Sequence, residues 1–283
     1  MNVNINNEYG KLKSVVVASA AYFNPDSLAL NNETIKFYAE NGGVPSKEDI
    51  LKEQKVFWNK LRELNVNVLE AELIDGVKGQ MFTRDLAFVI GNKFFISNMR
   101  KENRRLAING WEKIINEISS ENVIRVPANV YLEGGDVVVD CNTVYVGISE
   151  RTTMEGVLFL KEVLGSEYEV IPLKLKPKFL HLDVVFTIIN PNIALVYKEG
   201  IDEKSYDLLN KYNKIEVTDK EQFELATNVF VVDPNNVIAN SAHKRIIDEI
   251  KKIGINVIEV DLTETAKDGG AFRCMTCPIE RDV

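Results

Sequence analysis

The sequence predicts an α/β protein built as a ring of five αβ repeats. Three observations carry that expectation. Amphipathic helix patterns end at a Gly, Asn or Ser and are followed by a short apolar run. Pairs of apolar runs flank turn residues. The whole unit recurs roughly every 45 to 50 residues, the signature of a repeat architecture.

The first helix is expected from about Ser46 to Leu64. Ser46 stands as N-cap with Asp49 three residues on, and Ile50, Phe57, Leu61 and Leu64 share a face. Asn65 stops it, and Val66-Asn67-Val68 reads as a strand. The second helix carries Leu106, Trp111, Ile115 and Ile118, ahead of Ser119-Ser120 and a strand over 122–126. The third opens at Thr152-Thr153 and closes at Gly165, before a strand over 168–171. The fourth runs from near Asp202 to Asn213, before 214–217. Ser241 is the expected cap of the fifth, with Ile246, Ile250 and Ile253 on its face, Gly254 as the stop and Asn256–Val260 as the strand. Gly and Asn recur past the helices because they tolerate the left-handed conformation a helix stop requires.

Between these units lie four hairpin patterns: LAFVIGNKFFIS, DVVVDCNTVYVG, VVFTIINPNIALVY and NVFVVDPNNVIAN. Five helix–strand pairs need a fifth hairpin. Pairing of the C-terminal run with Lys13–Ala18 supplies it and closes the ring without a free edge. Nothing marks a boundary, so residues 1–283 are expected to form a single domain; Asn41-Gly42-Gly43 reads as a loop.

The totals narrow the function. A charge of −8, from 34 Lys+Arg against 42 Asp+Glu, argues against a nucleic-acid surface and is compatible with a small cationic substrate. The early apolar stretch Val15–Ala18 is too short for a signal peptide or a membrane span. Three cysteines form no disulfide framework, which points to the reducing cytoplasm.

Chemistry-bearing residues fall at equivalent places. Asp85, Glu133, His181 with Asp183, and Cys274 after Gly269-Gly270 stand at the hairpin entrances of four repeats. In a ring, such positions converge on one pocket. A thiolate is a strong nucleophile, and a neighbouring His moves protons for it. Carboxylates around the same point raise a thiol's pKa, yet they suit a planar cation with paired donors, such as a guanidinium. The expected reaction is therefore Cys attack on the guanidinium carbon. Release of an amine leaves a thiouronium, which water converts to a ureido product. Cys274-Met275-Thr276-Cys277 fits zinc poorly, since a structural site needs four ligands, and a redox dithiol usually opens a helix. No metal or cofactor is expected. Cys141 falls on a hairpin turn as a surface thiol, and His243 reads as a solvated helix-start residue.

Several stretches carry a resemblance: Phe82-Thr83-Arg84-Asp85, Glu133-Gly134-Gly135-Asp136, Gly147 to Thr152, His181 to Thr187, and Arg273 to Asp282. Together they resemble the guanidino-group modifying enzymes, which include arginine deiminases, dimethylarginine dimethylaminohydrolases and amidinotransferases. The resemblance implies a five-bladed αβ-propeller with pseudo-fivefold symmetry. It implies Cys274 as nucleophile, His181 as general acid/base and Glu133 as orienter of the His and the guanidinium. Asp85 and Asp183 would grip the guanidinium, and Arg104 and Arg151 a substrate carboxylate. The substrate is expected to be arginine or a close relative. Dimethylarginine hydrolysis and amidino transfer stay open, as do a homo-oligomer and, in another class, a non-catalytic propeller that binds a macromolecule. Gly269 and Gly79 replace an Arg and an Asn common in arginine deiminases.

Overall fold

The computed structural model describes residues 1–25 and 33–282. Among them are five three-stranded sheets. In the first, β1 (Leu12–Val17) runs parallel to β2 (Asn67–Glu70), with Val16 opposite Leu69. The second is the hairpin of β3 (Ala87–Ile90) and β4 (Lys93–Ile96), with β5 (Val123–Arg125) parallel to β4. The third repeats this with β6 (Val137–Asp140), β7 (Thr143–Ile148) and β8 (Glu169–Lys174). The fourth uses β9 (Phe186–Asn190), β10 (Ile193–Val196) and β11 (Asn213–Glu216). The fifth uses β12 (Phe230–Asp233), β13 (Asn236–Asn240) and β14 (Asn256–Val260). Finally β15 (Cys277–Arg281) pairs antiparallel with β1, with Cys277 opposite Val16. The first sheet therefore has the same hairpin-plus-parallel-strand pattern, assembled from segments far apart in sequence.

The sheets are separate, so each keeps two edge strands, and the expected closure without a free edge is not met by strand pairing. The N-terminal segment ties three of them instead. Ile5 exchanges backbone bonds with Gly91 (2.9 and 2.8 Å), Asn4 N donates to Ile279 O (2.8 Å), and Cys141 N donates to Asn6 O (2.6 Å).

The helices vary more than their sequence patterns. Lys47–Glu63 forms as expected: Ser46 Oγ accepts the Asp49 N–H (3.1 Å), and Asn65 past its end has φ 61°. It buries Ile50, Phe57 and Leu61, each worth about 1.5–3 kcal/mol on full burial. Phe57 meets Phe272 edge-on at 5.0 Å, fixing a residue two positions before Cys274.

The second unit does not form one helix. Short helices Glu102–Arg105 and Glu112–Asn116 flank a 3₁₀ stretch, Leu106–Trp111, and Leu106 is exposed. Gly110 is the reason: its carbonyl accepts the Glu72 N–H (2.9 Å), and a Cβ there would lie 1.9 Å from Glu72 O. The helix of the fourth unit is only Glu203–Asp207. That of the fifth starts at Lys244 with His243 at its cap, not Ser241, because Ser241 N is drawn to Val260 O (3.1 Å). An additional helix, Glu33–Glu40, sets Phe37 and Tyr38 against Phe223. No helix among the described residues is long and apolar enough to cross a membrane.

Candidate active site

The hairpin entrances are tight turns. Thr83–Asp85, Gly134–Asp136 and Leu182–Val184 are 3₁₀ turns that lead into β3, β6 and β9. A turn over 272–275 precedes β15 and carries Cys274. His181 caps its 3₁₀ turn, so this turn sets the directions of His181 and Asp183.

Turn geometry brings the side chains together. His181 Nε2 lies 2.8 Å from Glu133 Oε2, and His181 Nδ1 lies 3.5 Å from Asp85 Oδ1. Cys274 Sγ donates to Asp183 Oδ2 at 3.4 Å. Arg104 Nη1 pairs with Asp85 Oδ2 at 2.6 Å, while its Nη2 donates to the carbonyls of Gly79 and Phe82. Arg151 Nη1 lies 3.4 Å from Glu133 Oε2. Ser149 and Thr152 close the loop: Ser149 Oγ donates to Asp136 Oδ2 (2.7 Å), and Thr152 Oγ1 accepts the Glu133 N–H (3.0 Å).

Asp85, Arg104, Arg151, His181 and Cys274 line one cavity of about 620 Å³. Glu133 and Asp183 do not line it; Glu133 is bonded to His181 and Asp183 to Cys274. Phe82, Phe179 and Tyr197 add apolar wall, and Lys78, Lys101 and Lys178 add positive charge.

Electrostatics set the resting protonation. Burial alone would push the His181 imidazolium down. Asp85, the Glu133 hydrogen bond and Asp136 outweigh it and raise the ring to about 10. Burial, then Asp183 and Asp85, push the Cys274 thiol well above its ordinary value. Asp85 is held below the usual carboxylate range: burial opposes this, but His181 and Arg104 prevail. Burial raises Asp183. At neutral pH the cavity therefore holds an imidazolium, a thiol and an ionised Asp85.

Asp85, Glu133 and His181 could each offer a metal a ligand atom, all within 4.8 Å of one another. The guanidiniums of Arg104 and Arg151 already occupy both carboxylates. The donor set thus suits an organic cation with N–H donors at least as well as an ion.

Gly135 makes this packing close. A Cβ there would lie 2.8 Å from His181 Cγ and 2.9 Å from Asp85 Oδ1. We expect Gly135→Ala to displace His181 and to cost roughly 10²-fold in kcat, the scale of a 1 Å misplacement. An unchanged kcat in a folded variant would show that the ring's position is not critical.

One neighbour of Cys274 was not among the expected site residues. Asn228, at the fourth hairpin entrance, accepts the Arg273 N–H (2.9 Å) and the Cys274 N–H (3.4 Å). Its amide nitrogen donates to Asp183 O (3.0 Å) and lies 3.4 Å from Cys274 Sγ. Its spacing from Asp183 was the available signal. Cys141 is exposed on the β6–β7 turn, with φ 54°. His243 stands at its helix start as expected but is buried rather than solvated, because its ring packs inward with Nε2 3.0 Å from Glu224 O.

Comparison with known proteins gives a consistent picture. Residues 19–281 match the family described as N,N dimethylarginine dimethylhydrolase, eukaryotic. The uncharacterized protein YkgA of Bacillus subtilis is 38% identical, covering 97% of this chain and 94% of its own. An arginine deiminase of Listeria monocytogenes is 28% identical over 82% of this chain and 69% of its own. Among solved structures, the DDAH of Pseudomonas aeruginosa, complexed with citrulline, superposes with a TM-score of 0.82 at 22% identity, covering 95% of this chain and all of its own. At that identity the likeness shows a shared mixed α/β fold.

Proposed function

Because the chain belongs to the N,N dimethylarginine dimethylhydrolase family, within the guanidino-group modifying superfamily, we propose that it hydrolyses a guanidinium C–N bond of arginine or a close relative. The observation that carries this reading is one cavity in which a thiol, an imidazolium and a carboxylate meet, each backed by a further buried carboxylate or guanidinium. The five sheets are read as blades of a single five-bladed propeller over residues 1–283, with the cavity at its axis.

In this mechanism Asp85 receives the substrate guanidinium, displacing Arg104, whose own guanidinium sits there now. The substrate's positive charge offsets Asp183 and Asp85 and favours the thiolate. Asp183, raised by burial and hydrogen-bonded to Sγ, takes the thiol proton. Sulfur attacks the guanidinium carbon and a C–S bond forms. The His181 imidazolium, held by Glu133, gives its proton to the departing nitrogen as the C–N bond breaks. Neutral His181 then takes a proton from water, a C–O bond forms, and the C–S bond breaks; the remaining hydroxyl proton passes to the released amine, leaving the neutral ureido product. Asp183 returns its proton to sulfur. Arg104, once displaced, and Arg151 are the side chains for a substrate carboxylate.

The test is ureido-product formation over arginine, methylated arginines, agmatine and simple guanidino acids. We expect a ureido product from at least one carboxylate-bearing member and little from agmatine, which lacks the carboxylate. Silence on the whole panel overturns the hydrolase reading. The second reading, amidino transfer, is favoured by product that forms only when an amine acceptor is added.

A further inference from the structure

Behind Cys274 lies a buried charge cluster that the proposed reaction does not use. Arg84, Arg273 and Arg281 are 5%, 1% and 2% exposed, and they act on one buried carboxylate, Glu8. Arg273 Nη1 donates to Glu8 Oε2 at 2.8 Å, and Val139 N donates to Glu8 Oε1 at 3.3 Å. Nε and Nη2 of both Arg84 and Arg273 have no acceptor among the described residues. Most of that positive charge is left without a hydrogen-bonded partner in a medium where charges act strongly.

The cluster is joined to the nucleophile's turn by backbone. Arg273 directly precedes Cys274, Asn228 Oδ1 accepts both their N–H groups, and Arg84 N donates to Cys274 O at 3.1 Å. Asp183 and Asp85 act on the thiol, His181 lines the same cavity, and Asn228 adds a neutral amide. The two acids oppose a thiolate, and the fixed cation nearest in sequence is Arg273.

We propose that Glu8 and Arg273 are positioning residues for Cys274: Arg273 lends the nucleophile a fixed positive charge from the core, and Glu8, held in the N-terminal segment, anchors and attenuates that charge. The segment is suited to the task, since residues 4–6 are bonded to three sheets and leave Glu8 little freedom. Burial opposes ionisation of Glu8, yet Arg273, Arg84 and Arg281 hold its carboxyl down at about 2, so it is charged at every working pH. The proposal rests on Cys274 being the nucleophile, but it is read without turnover.

The experiment follows alkylation of the Cys274 peptide by iodoacetamide against pH, by mass spectrometry. Arg273→Gln should move the midpoint up and slow alkylation at fixed pH about tenfold, one pH unit's worth. Glu8→Gln should move it down and speed alkylation to a similar extent, and the double variant should fall between. Arg273→Lys, which keeps the charge and loses the fork, should stay near the wild type. Loss of packing alone would shift both single variants the same way, and that result, or no shift in either, overturns the proposal. If the Gln variants do not fold, Glu8→Asp and Arg273→Lys decide it. Glu8→Asp, which draws the carboxylate back from Arg273, must lower the midpoint, and an unchanged or raised midpoint overturns the proposal. A panel with no ureido product beside these opposite shifts would sink the hydrolase reading and leave the positioning pair standing.

Discussion

Cys274→Ser should abolish turnover and the trapping of a covalent adduct, while Cys277→Ser should leave both largely intact. The two sulfurs are three residues apart and face different surroundings. Cys274 Sγ opens on the cavity beside Asp183, whereas Cys277 Sγ lies among buried apolar side chains, 3.1 Å from Ala87 O. A serine hydroxyl is far harder to ionise than a thiol, and nothing near position 274 is a strong base at neutral pH. Loss of a covalent nucleophile typically costs about 10⁴-fold or more in kcat. Burial pushes the Cys277 thiol up to about 12, so it is not a competing nucleophile. Mass spectrometry of a quenched reaction gives the answer, and an adduct that persists in Cys274→Ser but vanishes in Cys277→Ser would overturn the assignment.

His181→Gln should lower kcat by roughly 10²–10⁴-fold, the usual range for a general acid/base. It should also change how stability depends on pH. The folded-state value of His181, about 10, lies above its ordinary 6.5. Its charged form therefore adds stability that is complete below about pH 6.5 and fades as pH rises toward 10. The urea midpoint of the wild type should exceed that of the variant most near pH 6 and approach it near pH 10. A difference that stays constant over this range would show that the imidazolium is not paired with Asp85 and Glu133 as described.

The hairpins, the strand Asn256–Val260 and the pairing of β15 with β1 follow the sequence closely, because strand alternation and turn residues are local signals. The second-unit helix was not legible, since the residue that breaks it answers to Glu72 on a distant loop. The same division runs through the site. Recurrence marked Asp85, Glu133, His181, Asp183 and Cys274, which meet as pairs in the structure. Which pairs form was hidden. Arg104 on Asp85, Asn228 under Cys274 and Glu8 on Arg273 each join residues at least 19 positions apart through turns whose directions no periodicity encodes.

Among the described residues, four of the five sheets take their hairpin from one contiguous stretch, and only the sheet of β1 and β15 needs strands separated by most of the sequence. Closing so long a loop carries an entropy cost that grows with the logarithm of its length, and it must be met before any contact there is gained. The turn bearing Cys274 leads directly into that last strand. The proposed nucleophile is thus hung on the joint with the longest loop to close: its turn leads into a strand whose partner, β1, comes from the other end of the sequence, whereas the other four sheets are built from contiguous stretches.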